Sequence, residues 1–146
     1  MNKEHPDHHD AELVLRLYEL RREPVMRESR ETLAKNFLPR SYDDIKPILT
    51  NREHPLNAAF RQTRTYWEMV YGMARHGIVD ADFLAEMNGE GLLLFAKVQP
   101  FLEQIRRDTS PREFRNAEWI ATESDVGKQL FASFQERMAK ARSAKS

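Results

Sequence analysis

The stretch PLNAAFRQTRTYWEMVYGMARHG, residues 55–77, carries the clearest helical pattern in the chain. Its core positions follow a spacing of four, three, four, three and four residues, which keeps them on one face of an α-helix. These positions are Leu56, Phe60, Thr63, Trp67, Val70 and Ala74. Pro55 suits the first turn, and Gly77 favours a left-handed stop over which Ile78 packs back. We therefore predict a central helix near residues 55–76.

The segment before this helix, residues 10–37, predicts two helical halves joined at Pro24. Asp10 is a suitable N-cap for the first half. The first half carries the stripe Leu13, Leu17 and Leu20, and the second carries Met26, Leu33 and Phe37. At about 100° per residue the two stripes point in nearly opposite directions. Because proline lacks an N–H group and clashes with the preceding turn, we expect a kink or a break at Pro24.

Several shorter helices are predicted in the rest of the chain. Ser41 with Asp44 opens a turn that Pro47 interrupts, and Asp80 caps a short helix. A further helix covers about residues 90–107 and kinks at Pro100. Ser110–Glu113 marks the next helix start, and Thr122 with Asp125 marks the last. The inward positions are Phe114, Ala117 and Ile120, followed by the stripe Val126, Leu130, Phe134, Met138 and Ala141.

These patterns predict an all-α, single-domain helical bundle of about six helices, with proline kinks near residues 24 and 100. Sheet signals are essentially missing, because no Asn-Gly turn is flanked by alternating β-branched residues. Helix connections are short, so neighbouring helices should be largely antiparallel. We expect residues 1–10 and 142–146 to form flexible tails.

Composition excludes several classes of function. The chain has 146 residues, no cysteine, and 23 basic against 23 acidic side chains. A balanced charge argues against nucleic-acid binding, and the lack of cysteine excludes disulfides and thiol chemistry. No segment approaches the length of about 20 apolar residues that a membrane helix needs. We expect neither a signal peptide nor a nucleotide-binding loop. We expect a cytoplasmic protein without a cofactor.

The segment YELRREPVMRESR, residues 18–30, looks basic, but the longer stretch that contains it is neutral. Residues 12–31 hold five arginines and five glutamates. Continuing the first apolar stripe past Pro24 places Arg27, Glu28 and Glu31 on it. Burying these charges is costly unless they are paired. Either the break at Pro24 turns them to solvent, or they form a partly buried structural ion network.

Two sets of residues are candidate binding groups. The N-terminal histidines His5, His8 and His9 have metal-ligand chemistry, but they lie where chains are usually mobile, so they are weak metal candidates. On the central helix, Arg64, Tyr71 and Arg75 lie opposite or beside the core stripe. Such groups can hold a phosphate or a carboxylate, although a salt-bridged surface explains them more simply.

Four segments carry a resemblance. LYELRREPVMRESR, FLPRSYDD, TRTYWEMVYGMARHGIVDADFL and LLLFAKVQPFL resemble a group of short uncharacterised bacterial proteins, across about residues 12–120. The resemblance implies an all-helical fold and a bacterial source. It implies no activity, cofactor or catalytic residue.

Three functions follow as expectations. The first is a non-enzymatic protein–protein interaction module, including self-association as a homodimer, since many apolar and aromatic residues are available for a contact surface. The alternative is a helical bundle that binds a small anionic ligand or effector at Arg64, Tyr71 and Arg75. The weakest is a metal-dependent enzyme that uses the N-terminal histidines.

Overall fold

The computed structural model describes residues 4–144, and these fold into nine α-helices and one 3-10 turn. In chain order the helices are α1 (His8–Arg21), α2 (Pro24–Asn36), α3 (Tyr42–Thr50), α4 (Asn57–Arg75), α5 (Ala81–Met87), α6 (Glu90–Val98), the 3-10 turn (Gln99–Phe101), α7 (Leu102–Asp108), α8 (Arg115–Glu123) and α9 (Asp125–Ala144). No residue in this range forms a strand. The all-α prediction is confirmed.

Helix α4 is the element around which the others pack, as its pattern predicts. Five of its six stripe positions are buried, and Leu56 lies just before the helix and packs against the core. Helices α2 and α8 make its most extensive contacts, while α3, α5 and α6 contact it less. Gly77 adopts a left-handed φ of 75° and ends the helix as predicted. Ile78 is exposed, so its predicted packing over the last turn is wrong.

Pro24 breaks the chain between α1 and α2 and occupies the first position of α2. A missing N–H group costs nothing there, because the first turn of a helix has no internal partner for it. The cap of α1 is Asp7 rather than Asp10. The two residues form a capping box, in which each carboxylate accepts the backbone N–H of the other. Leu17 is buried, whereas Leu20 is exposed because α1 ends one residue later.

Residues 4–144 form nine α-helices rather than about six, because predicted helices are divided or begin elsewhere. Pro47 lies inside α3 rather than interrupting it. The proline at residue 100 converts one turn to a 3-10 helix that separates α6 from α7. Phe114 takes a left-handed conformation, so α8 begins at Arg115 rather than near Pro111. Ser124 replaces Thr122 as the cap of α9, since its hydroxyl accepts the Gly127 N–H.

Helices reach both ends of the described range, and the flexibility of the tails stays a prediction. Residues 8–10 belong to α1, and Asp10 is buried. Residues 142–144 continue α9, and Arg142 donates to three carbonyls in two other backbone segments. The remaining tail residues, 1–3 and 145–146, lie outside the described range. Among the described helices, none has the length and apolar character needed to cross a bilayer.

Candidate functional site: a charged cavity between α2, α4 and α6

A small cavity lies where α2, α4 and α6 meet. Its lining comprises Arg30, Leu33 and Ala34 from α2, Thr63 and Trp67 from α4, and Glu90, Leu93, Leu94 and Lys97 from α6. The cavity volume is about 40 Å³. It combines charged groups with apolar walls, but it is far smaller than the roughly 300–1,000 Å³ of a typical small-molecule pocket.

Arg30 and Glu90 form the polar rim of the cavity. The Arg30 guanidinium donates from Nε to Glu90 Oε2 at 2.8 Å and from Nη2 to Glu90 Oε1 at 3.1 Å. This two-point geometry is the strongest form of an arginine–carboxylate pair. Nη1 also donates to the Arg21 carbonyl at the end of α1, at 3.4 Å. Arg30 therefore joins α1, α2 and α6, and its charge is balanced by Glu90.

Lys97 supplies a second cation, and its residue is only 8% exposed. Its ammonium group donates to the Leu33 carbonyl at 3.4 Å and lies 5.9 Å from the centre of the Phe37 ring. Burial lowers the pKa of Lys97, and the negative charge of Glu90 opposes that shift. No carboxylate in the described range lies within 4.0 Å of its nitrogen. Lys97 is therefore a buried cation with weak neutral partners.

Thr63 supplies a hydroxyl group without a hydrogen-bond partner. The residue is 4% exposed, and its Oγ1 is one of two buried side-chain polar atoms in residues 4–144 that lack one. A buried hydroxyl without a partner is costly, so such an atom calls for a physical explanation. Thr63 is one of the lining residues of the cavity, but its Oγ1 has almost no accessible surface.

A glycine in α6 allows this helix to approach α4 closely beside the cavity. A Cβ atom at Gly91 would lie 2.6 Å from Cδ2 of Trp67 and 2.7 Å from Cε2 of Tyr71. These distances are shorter than carbon–carbon contact allows, so α6 can approach α4 this closely only without a side chain at residue 91. Glycine at this point lets the backbone of α6 lie against the rings of Trp67 and Tyr71.

The sequence-predicted ligand residues on α4 have separate partners inside the chain. Arg64 pairs with Glu113 at 3.0 Å. Tyr71 is fully buried and its hydroxyl donates to the Asn88 carbonyl at 2.8 Å. Arg75 Nε donates to Asn116 Oδ1 at 2.7 Å. Arg64 and Arg75 contact residues just before and within α8, whereas Tyr71 lies in the core. A ligand-binding role for these three stays a prediction.

Glu68, also on α4, has a structural role that explains its burial. Its carboxylate accepts the backbone N–H groups of Asn116 at 3.0 Å and Ala117 at 2.8 Å. These N–H groups belong to the first turn of α8, where helices lack internal acceptors. Burial raises the pKa of Glu68, while the two backbone hydrogen bonds lower it. Glu68 thus caps α8 from a neighbouring helix.

The ion network predicted at Arg27, Glu28 and Glu31 is not buried. All three residues are exposed, so the break at Pro24 turns them to water. Glu31 pairs with Lys35 at 2.7 Å one helical turn later, and this contact lowers the pKa of Glu31. The charge that does point inward from α2 is Arg30.

Of the three histidines considered as metal ligands, His8 and His9 lie in the first turn of α1, and His5 precedes it. His8 Nε2 lies 2.9 Å from Glu12 Oε1 in an exposed contact along the helix. Within residues 4–144, no group of three or more histidine, cysteine, aspartate or glutamate side chains is placed to hold a metal ion. The metal-enzyme hypothesis stays a prediction.

Sequence reasoning did not identify Arg30, Thr63 or Lys97 as site residues. Arg30 lies four residues after Met26 and three before Leu33. Its place on the buried stripe of α2 could therefore have indicated that it points inward. Lys97 stands inside the apolar run LLLFAKV, where a lone cation is a signal of burial. The pairing of Arg30 with Glu90, across 60 residues of sequence, has no sequence signal.

The outer surface of α1 and of the first turn of α2 forms a second feature. Seven large apolar side chains are exposed within residues 4–144, and four of them lie between residues 15 and 25. They are Leu15, Tyr18, Leu20 and Val25. Such clustering in one short segment is more informative than isolated exposed apolar residues elsewhere.

Comparison with known proteins gives the family and nothing finer. Neither a curated protein nor a solved structure matches the chain. A family model does match residues 6–124, which cover all helices from α1 to α8. The chain therefore belongs to the DUF4760 family, a domain of unknown function.

Proposed function

We propose that this protein acts through protein–protein contact, and that the outer face of α1 pairs with the same face of a second copy. We define the outer face as Leu15 and Tyr18 with the flanking charges Glu12, Glu19 and Arg22. The observation that carries the proposal is the exposure of Leu15, which is 63% exposed at the centre of this face. The opposite face of α1 carries Leu17 and is already buried against the chain's own core.

Charge on the outer face favours a second copy as the partner. A two-fold axis between residues 16 and 17 of two antiparallel helices sets Leu15 opposite Tyr18 of the second copy. The same two-fold axis sets Glu12 opposite Arg21 of the second copy. Arg22 of that copy lies one residue further on, which is a rise of about 1.5 Å along the helix. A symmetric contact must be self-complementary in this way, because each residue meets its counterpart twice.

The expected association is weak. One pair of helices of this length covers less than the roughly 1,200 Å² that stable interfaces bury. We therefore expect a monomer–dimer equilibrium with a dissociation constant on the order of micromolar or weaker. Sedimentation equilibrium over a wide concentration range measures it.

The first test replaces Leu15 with glutamate. We expect Leu15→Glu to make the chain monomeric at every concentration at which the parent chain dimerises, because the contact would have to bury a carboxylate. Ile78→Glu is the matched control, since Ile78 is 59% exposed but lies beyond α4. A parent chain that stays monomeric at millimolar concentration, or an Ile78→Glu variant that loses dimerisation as fully as Leu15→Glu, contradicts the proposal.

A charge exchange tests the antiparallel geometry. Glu12→Arg alone, and the double substitution Arg21→Glu with Arg22→Glu alone, each place like charges opposite one another, so each variant should be monomeric. An equimolar mixture restores opposite charges at both contacts and should recover the dimer. Recovery in the mixture cannot come from unfolding of either variant. If the mixture stays monomeric while the parent dimerises, the two helices do not pair as proposed.

A further inference from the structure

We propose that α9 is an exchangeable helix, which can leave its own chain and pack on the α5, α6 and α8 helices of a second copy. For this exchange, α8 and α9 join into one continuous helix that reaches across to the second copy. The exchange is separate from the contact through the outer face of α1. Helix α9 also lies beyond residues 6–124, the part of the chain that forms the family domain.

The connection between α8 and α9 is a single residue, Ser124. Ser124 has a φ of −92° and a ψ of 130°, so it is mainly the ψ angle that departs from helical geometry. Rotation at this residue would join the two elements into one helix from residue 115 to residue 144, about 45 Å long. A short hinge of this kind favours exchange of an element between identical chains.

Asp82 and Ser124 form a latch that keeps this connection bent. The Ser124 hydroxyl donates to Asp82 Oδ1 at 2.6 Å and accepts the Gly127 N–H at 2.9 Å. The same Asp82 oxygen accepts the Val126 N–H at 3.3 Å. In a continuous helix these two N–H groups would donate to carbonyls in the last turn of α8. The bent form therefore depends on two side chains, whereas the joined form needs only the backbone.

Helix α9 is buried less deeply than the central helix. Of the 20 residues of α9, all within the described range, two are buried, Gly127 and Met138. Nine of the 19 residues of α4 are buried. Leu130, Phe131 and Phe134 are partly buried against the core. An element with so few buried residues can detach while the remaining helices stay folded.

The surface beneath α9 is shaped for this helix. The ring of Phe131 stacks on the ring of Phe95 in α6, with the ring centres 5.1 Å apart. The Leu130 side chain lies over Gly89, where a Cβ atom would be 2.9 Å from Leu130 Cδ1. Towards the other end of α9, Arg142 donates to two carbonyls in the last turn of α6. Because these contacts are specific to α9, the helix that best replaces it is the α9 of a second copy.

The first experiment refolds the full chain from urea at millimolar concentration and measures the dimer fraction by sedimentation velocity after dilution. Unfolding is required because α9 must leave the core before it can exchange, so samples that have stayed folded keep the bent form. Every chain carries Leu15→Glu, which removes the α1 contact. A dimer in this background therefore does not depend on the proposed function of α1.

Ser124→Ala tests the latch. It removes the cap of α9 and the partner of Asp82, and alanine favours a continuous helix at the hinge. Since each dimer contains two hinges, the association constant of the exchanged dimer should rise by about tenfold or more. Ser133→Ala, at an exposed position of α9, is the matched control and should leave the association constant unchanged. A Ser124→Ala chain that stays monomeric after refolding at millimolar concentration would exclude the exchange.

Asp125→Pro tests whether α8 and α9 join. Asp125 is the first residue of α9, where proline is well tolerated, and Ser124 before it already has the extended conformation that proline favours. In a continuous helix the same proline would remove a hydrogen bond and clash with the preceding turn. Added to Ser124→Ala, it should abolish the dimer while the monomer stays folded. An unchanged dimer fraction in the double variant contradicts the joining of the two helices.

Isotope-filtered NMR identifies the chain to which each α9 is bound. Uniformly ¹³C-labelled and unlabelled Ser124→Ala chains, mixed in urea and refolded together, give mixed dimers. We expect NOEs between the ring protons of Phe131 in one copy and those of Phe95 in the other, because these rings stack. Phe131–Phe95 NOEs that occur only within one copy would overturn the proposal.

Discussion

At the scale of single residues, Lys97 is the most unusual group in the chain. A lysine that is 8% exposed has lost most of its hydration, and its neutral partners, a carbonyl at 3.4 Å and the face of Phe37, replace little of it. A residue that destabilises its own fold in this way is often retained for function. Its effect on stability can be measured without any ligand.

Lys97→Met should stabilise the protein at pH 7, by on the order of 1 kcal/mol, because methionine fills similar space without a buried charge. The advantage should shrink as pH rises. The pKa of Lys97 is lowered in the folded chain from 10.5, so the folded state binds fewer protons than the unfolded state. The parent chain therefore gains stability as pH rises through the folded-state pKa towards 10.5.

Urea unfolding of both chains between pH 6 and pH 10 measures this difference. Lys140→Met is the control and should change little, since Lys140 is exposed and pairs only with Glu136. If the stability advantage of Lys97→Met over the parent grows with pH, the charged form of the buried amine is better stabilised than its contacts indicate.

At the scale of helices, the capping of α8 by Glu68 shows how one helix positions another. The carboxylate satisfies two N–H groups of the first turn of α8, and Asn116 returns a hydrogen bond from its side chain to the Glu68 carbonyl at 2.9 Å. The positive end of the α8 dipole favours the negative charge there. This contact holds α8 against α4 where α8 has no cap of its own, because Phe114 precedes it in a left-handed conformation.

Glu68→Ala should lower the free energy of unfolding by about 1–3 kcal/mol, the cost of leaving buried N–H groups without an acceptor. The loss should be largest in mild acid. Because burial raises the pKa of Glu68 above 4.5, its contribution is fullest below that value and falls as pH rises through the folded-state pKa. Chemical unfolding at pH 4 to 7 measures it. Glu103→Ala, at an exposed position of α7, is the control, and equal losses in both variants would exclude a capping role.

The sequence predicted long amphipathic helices well and local helix boundaries less well. The stripe of α4 repeats over five turns, so periodicity alone identifies its buried face. The start of α8 depends instead on burying Phe114 against Phe60 and Phe95, with ring centres 6.2 Å and 5.9 Å apart, and that demand outweighs the Ser110–Pro111 start signal. The candidate site was missed for the same reason, since Arg30, Thr63 and Lys97 meet only through packing.

At the scale of the whole molecule, the end of α9 connects distant parts of the chain. Arg142 donates from Nε to the Pro39 carbonyl at 3.1 Å, and from Nη2 to the carbonyls of Lys97 at 3.0 Å and Ala96 at 3.4 Å. The last two carbonyls lie in the final turn of α6, where helices lack internal donors. One side chain of α9 therefore links the α2–α3 connection to the end of α6, and one of its acceptors is the carbonyl of Lys97.

Arg142→Ala should lower the free energy of unfolding by about 1–3 kcal/mol, because three carbonyls lose a charged donor. The substitution should lower local stability near the contact as well as the global stability of the fold. Loss of the contact frees the last turn of α6, so amide hydrogen exchange should accelerate around Lys97 and in the 3-10 turn that follows it. Lys140→Ala, at an exposed position two residues earlier in the same helix, is the matched control.

Exchange rates measured residue by residue in the Arg142→Ala variant distinguish a local fastening from general stabilisation. Uniform acceleration across α4 and α8 as well as α6 would mean that Arg142 only adds to global stability. Acceleration confined to α9 would mean that the three hydrogen bonds leave α6 unaffected. Acceleration at the end of α6 would make the last helix the element that fixes the position of Lys97, because that lysine's own carbonyl is one of the three acceptors.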